Sequence, residues 1–169
     1  MSKEIVNRVA KSSLVTIDLE DFYPSGERVL FDIKDWLLEG LVLREKDFRT
    51  HVDTHDWSTY INKYVAITCT TDAIIPDWAF MLVALQLEPY AKKVVVGNLE
   101  LLESLVFQDI INNFDASEVN NKPVIIKGCT NKPIPLSAYT LLINKIKLAA
   151  KSIMYGEACS SVPLYKKKP

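Results

Sequence analysis

Three cysteines each follow an apolar run that is typical of a buried β-strand. Cys69 follows YVAIT, Cys129 follows VIIKG, and Cys159 follows SIMYGEA. The carboxyl ends of parallel strands share one edge of a sheet, and ligands bind in the crevice outside that edge. We therefore expect the three thiols to lie close together. Soft sulfur ligands gathered at one place indicate a metal site or sulfur chemistry.

The metal interpretation needs one more ligand. Three thiolates can bind Zn²⁺ or Fe²⁺, with an oxygen or nitrogen ligand or a water molecule in the fourth position. The nearest oxygen candidate is Asp72, on the loop that follows Cys69. An acidic side chain just before a helix can instead be its N-cap. The sequence predicts a zinc or iron site made of Cys69, Asp72, Cys129 and Cys159.

Two other roles of the cysteines stay open. One thiolate can act as a nucleophile or carry sulfur as a persulfide. Lys127 or Lys132 beside Cys129, together with an adjacent helix amino terminus, would favour its thiolate form. Alternatively, the cysteines only pack, because cysteine often behaves as a small buried hydrophobe.

Other motifs give less support to a site. His51 and His55, the only histidines, share one face of a predicted helix. We interpret them as structural or solvated, or else as a source of a fourth ligand for the cysteine site, since the HExxH pattern is missing. The chain has no GxGxxG, GxxxxGK[ST] or GxSxG motif, which argues against standard nucleotide binding and serine hydrolysis. The acidic residues at 18, 20 and 21 are interpreted as a solvated turn.

Apolar runs and helical periodicities alternate from residue 64 onward. Strands are predicted near 64–69, 93–97, 123–128 and 152–156, and helices near 75–88, 99–110 and 139–150. This alternation is the signature of right-handed βαβ units, and continuous apolar strands are expected where helices cover both faces of a parallel sheet. We predict a three-layer α/β fold with a mostly parallel sheet of at least these four strands.

The first 60 residues are predicted to add β and α elements to this core. Residues 14–19 and 29–33 are predicted strands, either a hairpin or two added strands, and residues 43–55 are predicted to be helical. We find no internal repeat. At 169 residues the chain fits one domain, in which residues 1–60 form an N-terminal addition that packs on a 61–160 core.

Composition narrows the class of protein. Hydrophobic residues make up 49% of the chain and charged residues 24%, as in globular proteins. The net charge of -1 gives no general attraction to nucleic acid or to a membrane surface, so neither is an expected partner. The first residues lack the apolar core of a signal peptide, and an odd number of cysteines suits a reducing compartment. We expect a cytoplasmic protein whose lysines at 166–168 form a solvated tail.

Five segments of the chain are distinctive: IVNRVAKSSLVTIDLEDFYP, FDIKDWLLEGLVLREKDFR, KYVAITCTTDAIIPDWAFMLV, VIIKGCTNKPIPLSAY and KSIMYGEACSSVPLYKK. Through them the sequence resembles, almost end to end, the bacterial family catalogued as domain of unknown function 2480. That family carries no assigned activity. The resemblance implies genes that lie near iron–sulfur cluster assembly genes, and hence iron–sulfur assembly proteins as partners. Cys69, Asp72, Cys129 and Cys159 fall inside these segments.

These observations give one leading hypothesis and two alternatives. The leading hypothesis is a metal-binding accessory protein with a cysteine cluster at the carboxyl edge of a parallel sheet, linked to iron–sulfur cluster assembly. The first alternative is a thiol enzyme or persulfide carrier that uses one of the cysteines. The second is a non-catalytic interaction module whose cysteines only pack. Whether the protein is an enzyme, and whether it forms a homo-oligomer, stay open.

Overall fold

The computed structural model describes residues 13–128, 131–157 and 159–168. The strands in these ranges are β1 (Val15–Ile17), β2 (Arg28–Asp32), β3 (Tyr64–Thr68), β4 (Lys93–Val96), β5 (Pro123–Ile126), β6 (Ser152–Glu157) and β7 (Ser160–Lys166). The helices are α1 (Glu45–Thr54), α2 (Asp77–Leu87), α3 (Leu99–Asn112) and α4 (Leu136–Ile146). Short 3₁₀ helices follow β1 and β2 and precede β3 and β5.

The chain divides into two compact units. The split unit combines Met1–Tyr23 with Phe107–Pro169, and the continuous unit is Pro24–Val106. The split unit contains a four-stranded sheet in the order β1-β5-β6-β7, and the continuous unit a three-stranded sheet in the order β2-β3-β4. Neighbouring strands are parallel, except that β6 and β7 are antiparallel.

The predicted fold class, α/β with a mostly parallel sheet of four strands, is confirmed. The prediction that β3, β4, β5 and β6 share one sheet is wrong, because the first two pair in the continuous unit and the last two in the split unit. The two N-terminal strands are confirmed as added strands and do not form a hairpin. Each joins a different sheet, β1 beside β5 and β2 beside β3. The single domain with a 1–60 addition stays a prediction.

The two units are built from the same series of elements. Each runs from a first strand through a 3₁₀ helix, an α-helix, a second 3₁₀ helix, a central strand and an 11-residue α-helix to a third strand. One constant sequence offset relates Asp56, Asn62, Pro76 and Gly97 to Asp115, Asn121, Pro135 and Gly156. Our expectation of no internal repeat is therefore wrong.

The residues kept between the units are those that caps and turns require. Asp56 and Asp115 each accept a hydrogen bond from the backbone two residues later and so cap a 3₁₀ helix. Asn62 and Asn121 have φ angles of 62° and 54°, a left-handed conformation that asparagine tolerates better than most residues. The two units therefore share residues that their backbone conformation requires more often than they share identical core residues.

Helical spacing explains how the cores form. Ala79, Val83 and Leu87 of α2, and Ala138, Leu142 and Ile146 of α4, recur every four residues and are buried. They pack against the central strands β3 and β5, whose middle residues are buried on both faces. Burial of each large apolar side chain contributes roughly 1.5–3 kcal/mol.

Strand β7 lies where a solvated tail was expected. Its residues Ser160–Lys166 pair antiparallel with β6, and the backbone N–H of Lys167 donates to the Lys151 oxygen at 2.9 Å. The strand contains Pro163, next to a shift of register between Ile153 and Met154. Proline is tolerated at bulges and on edge strands, and β7 is the last strand of its sheet.

Removing a core aromatic ring should destabilise the split unit strongly. Phe107 is fully buried at the position that Phe48 holds in the continuous unit. We expect Phe107→Ala to lower the free energy of unfolding by about 3–5 kcal/mol, measured by urea unfolding. Leu148→Ala, at a side chain that is 86% exposed, should change it by no more than about 0.5 kcal/mol. Equal losses for both variants would contradict the described core.

Candidate functional site

An ion pair joins two strand ends at the carboxyl edge of the split unit. Strands β1, β5 and β6 are parallel, so their carboxyl ends lie at the same edge of the sheet. Asp18 follows β1 and Lys127 follows β5. The Lys127 Nζ donates to the Asp18 Oδ2 at 2.8 Å, which ties the chain leaving one strand to the chain leaving its neighbour.

The surroundings of Asp18 keep it ionised. The hydrogen bond from Lys127 holds the pKa of the Asp18 carboxyl below its usual value of 3.8, against the opposing effect of burial. The backbone N–H of Glu20 adds a hydrogen bond to Asp18 Oδ1 at 3.0 Å. The bond to Asp18 also raises the pKa of Lys127 above its usual 10.5. Each of the two carboxylate oxygens therefore accepts a hydrogen bond that holds Asp18 in place.

Glu20 fixes the loop that follows β5. Its Oε1 accepts hydrogen bonds from the backbone N–H of Asn131 and, at 3.1 Å, from that of Lys132. The Lys132 Nζ donates in return to the Glu20 backbone oxygen at 3.0 Å. The prediction of a solvated turn is thus wrong for Asp18 and Glu20, which anchor the chain on both sides of position 129. Cys129 itself lies outside the described residues.

Two glycines allow close approach at this edge. A Cβ on Gly128 would lie 2.9 Å from the Tyr155 ring, whose hydroxyl donates to the Gly128 oxygen at 3.3 Å. Gly156 has a φ of 124°, and a Cβ there would meet the Ser160 oxygen at 2.5 Å. Glycine is required for this tight turn into β7. Cys159 lies in the turn and is exposed.

The continuous unit repeats the carboxylate at its own edge. Asp32 is the last residue of β2 and accepts hydrogen bonds from the backbone N–H of Lys34 at 3.1 Å and of Thr70 at 3.2 Å, and from the Thr70 hydroxyl. Burial acts to raise the pKa of Asp32, but these hydrogen bonds hold it below 3.8. Asp32 therefore fixes the start of the loop after β3, as Asp18 and Glu20 fix the loop after β5.

Cys69 lies on that loop beside a cavity. The Cys69 Sγ is 3.4 Å from the Thr71 Oγ1, and the side chain is partly buried against the core of its unit. The cavity measures about 320 Å³. Besides Cys69 and Thr71, its lining includes Thr68, Phe80 and Gly97. The position of Cys69 directly after a strand is as the sequence predicts.

Asp72 lies on the same loop and is exposed. The alternative that it caps the following helix is wrong. Helix α2 begins after Pro76, and no side chain accepts a hydrogen bond at its N-cap position. The structure leaves this carboxylate at the surface, near in sequence to Cys69 and separate from the capping of α2.

The two histidines belong to an aromatic cluster. The His51 ring stacks on Trp36, with centroids 5.6 Å apart and 12° between the planes. The Nε2 of His55 lies 3.2 Å from the Tyr60 hydroxyl. Burial lowers the pKa of His55 below 6.5, partly opposed by the charge of Asp56. These contacts agree with the structural interpretation of the pair.

The four predicted metal ligands are distributed over both units. Cys69 and Asp72 lie in the continuous unit, Cys159 lies in the split unit, and Cys129 is outside the described residues. Within the described ranges, no group of at least three His, Cys, Asp or Glu side chains could hold a metal ion. The four-residue site stays a prediction. We did not predict from the sequence that Asp18, Glu20 and Asp32 hold the loops at the sheet edges. The similarity of the segments DLEDF at 18–22 and DIKDW at 32–36 is the signal that could have indicated it.

Fold and edge geometry together define an α/β protein of two related parallel-sheet units. The chain belongs to the family described as Protein of unknown function (DUF2480), whose family model matches residues 3–167. No curated protein and no solved structure matches the chain. In the part of the chain that the structure describes, no helix is long and apolar enough to cross a membrane.

Asp18 should make stability depend on pH in the acid range. Its folded pKa is lowered, so the stability it contributes is full above its usual pKa of 3.8 and is lost as pH falls toward the lower folded value. Asp18→Asn keeps an oxygen for the cap but removes the charge. We expect its urea midpoint to lie below wild type at pH 7, with the gap shrinking below pH 3.8.

Two further variants control this measurement. Asp18→Ala also removes the cap, which should cost on the order of 1 kcal/mol more. Asp53→Asn, at an exposed position of α1, should follow wild type at every pH. A gap between wild type and Asp18→Asn that stays constant down to pH 3 would exclude the ion pair as its cause.

Proposed function

We propose that this protein is a metal-binding accessory protein that binds Zn²⁺ or Fe²⁺ through cysteine thiolates at a carboxyl edge. The observation that carries the proposal is the pairing of β5 with β6. Cys129 follows the end of β5 and Cys159 follows the end of β6. Both cysteines therefore follow the carboxyl ends of neighbouring parallel strands, where ligand sites of open α/β sheets occur.

Strand spacing suits a shared ion. Neighbouring strands are about 4.8 Å apart. Sulfurs that bind one tetrahedral zinc ion through bonds of about 2.3 Å are roughly 3.8 Å apart. Cys69 and Asp72 complete the ligand set predicted from the sequence, and separate variants test whether they belong to it.

Charge near position 129 supports thiolate formation. Lys127 and Lys132 flank this position in sequence, and cations favour the thiolate, which is the form that binds metals. The Lys127 charge also balances that of Asp18. Asp18 and Glu20 hold the chain on both sides of it. An exposed ligand such as Cys159 is also accessible for metal transfer to another protein. The link to iron–sulfur assembly partners rests on the family resemblance.

A second candidate function is favoured by the cavity beside Cys69. A thiol enzyme or persulfide carrier needs one accessible thiol with space for a substrate, and about 320 Å³ is open next to this side chain. As a carrier, the Cys69 thiolate would attack the outer sulfur of a donor persulfide. A new sulfur–sulfur bond would form on Cys69, and the donor thiolate would leave.

Elemental analysis of protein purified without a metal-chelating tag tests the proposal. We expect about one zinc or iron ion per chain, lost in Cys129→Ser and in Cys159→Ser, and bound more weakly at acid pH because protons compete for sulfur. Retention of metal in Cys69→Ser and Asp72→Asn would limit the site to the split unit, and its loss in both would support the four-residue set.

Thiol reactivity separates the alternatives. Metal-free wild type in which Cys69 reacts much faster than free cysteine would replace the metal proposal with the second candidate. Metal-free wild type with ordinary thiols would reject both functions. Far-UV circular dichroism of each variant controls for folding, since serine at a packing cysteine can cost about 1–3 kcal/mol.

A further inference from the structure

Strand β4 is the last strand of the sheet in the continuous unit, as far as the described residues show. The sheet order β2-β3-β4 leaves it paired with β3 on one side. The Gly97 N–H donates toward β3, to the Ile67 oxygen at 2.8 Å. Because backbone groups alternate along a strand, those of Val94 and Val96 point toward the open side. Such an edge is a template for pairing with another strand.

The corresponding edge of the split unit is closed. Strand β6 holds the place of β4 in the repeat, and it pairs with β7 from Ser152 and Lys166 to Glu157 and Ser160. The added strand is antiparallel. In the split unit, an antiparallel strand thus completes the edge that corresponds to β4. Among the described residues, β4 pairs with β3 alone.

Helix α2 presents apolar side chains beside β4 at two positions where α4 has polar ones. Helix α2, the turn after it and the start of β4 border a groove of about 720 Å³. Its lining residues are Met81, Ala84, Leu85, Glu88, Ala91, Lys92, Lys93 and Val94. Met81 is 63% exposed and Leu85 is 69% exposed. The repeat places Thr140 and Asn144 at these two positions of α4.

The sequence DWAFMLVALQL of α2 therefore carries apolar residues on its solvent face as well as its core face. A helix that is apolar all round is normally covered. Residues of α2 and of the start of β4 line the same groove, so the helix face and the strand edge form one surface. We call Met81, Leu85 and the β4 edge the β4 surface.

We propose that the β4 surface pairs with the same surface of a second copy of this chain, forming a two-fold symmetric dimer. A two-fold axis makes identical edge strands antiparallel, which is the geometry of β7 on β6. It also brings Met81 and Leu85 of both copies to one side of the joined sheet. In a pair centred on Val95, each Lys93 faces Gly97 of the second copy, so the lysines do not oppose each other.

The small area that the β4 surface can bury predicts a weak dimer. One short strand and one helix face bury less than the roughly 1,200 Å² of a standard interface. The dimer should therefore dissociate reversibly at micromolar concentration. Sedimentation velocity from about 5 to about 500 µM spans this range. A reductant and a chelator are present throughout, so that neither a disulfide nor a metal bridge through exposed Cys159 contributes.

Variants taken from the repeat test the surface. The double variant Met81→Thr with Leu85→Asn installs the residues that α4 carries at these positions. We expect it to weaken dimerisation at least tenfold. Leu148→Asn is the matched control, at an apolar residue of the split unit that is even more exposed than Met81 and Leu85, and should dimerise as wild type does. Val96→Pro removes the backbone N–H that points away from β3, so it removes a hydrogen bond of the proposed dimer and none to β3. This variant should also be monomeric.

Hydrogen exchange locates the contact independently of mass. Amide exchange of Val94 and Val96 should slow as wild-type concentration rises and should not change in the double variant. Monomeric wild type at all concentrations would overturn the proposal. So would a dimer that the double variant and Val96→Pro leave intact, because its interface would lie elsewhere. Circular dichroism confirms that each variant is folded.

Discussion

A carboxylate at the carboxyl end of the first strand organises the carboxyl edge of each sheet. Asp18 and Asp32 each accept a backbone N–H from two residues later, at 3.0 and 3.1 Å. Each also accepts from a residue just past the central strand, Lys127 in one unit and Thr70 in the other. One side chain thus caps the turn out of its own strand and holds the loop of its neighbour. These bonds fix Thr70 beside Cys69, and Lys127 two positions before Cys129 in sequence.

The secondary structure could be predicted where apolar periodicity is strong. Strands β3 to β6 and helices α1 to α4 lie close to their predicted ranges. Apolar runs do not specify which strand pairs with which, because segments such as VVV at 94–96 and VII at 124–126 are compatible with any parallel neighbour. The division into two sheets therefore could not be deduced from them. Strand β7 was missed because Pro163 and a run of lysines resemble a loop and a tail.

The internal repeat was hidden by the kind of residue it preserves. Core positions exchange one apolar side chain for another, as in Val83 and Leu142, so identity there is low. The residues that are the same in both units are those that a particular backbone conformation favours, such as asparagine at a left-handed turn or proline before a helix. These residues are common in unrelated loops, and only their shared spacing reveals a duplication.

The site could be predicted in part. That Cys69 directly follows a strand was deducible, because an apolar run ending in a polar loop marks a strand end. The engagement of Asp18 and Glu20 was not, since a short acidic run is usually solvated. Their partners Lys127 and Lys132 are more than a hundred positions away in sequence. Contacts of that separation depend on the pairing of β1 with β5, which local sequence does not encode.

The interruption of the split unit by the continuous unit bears on how the chain folds. Ile17 must find Ile126, with Pro24–Val106 between them. Closing a loop of about 100 residues costs only about 1.2 kcal/mol more than closing one of about 25, but distant pairing slows the search. During synthesis the continuous unit emerges complete while β1 still has no partner. Once the continuous unit is folded, its two ends are held at a fixed separation. The pairing of β1 with β5 then requires closure of a much shorter flexible segment.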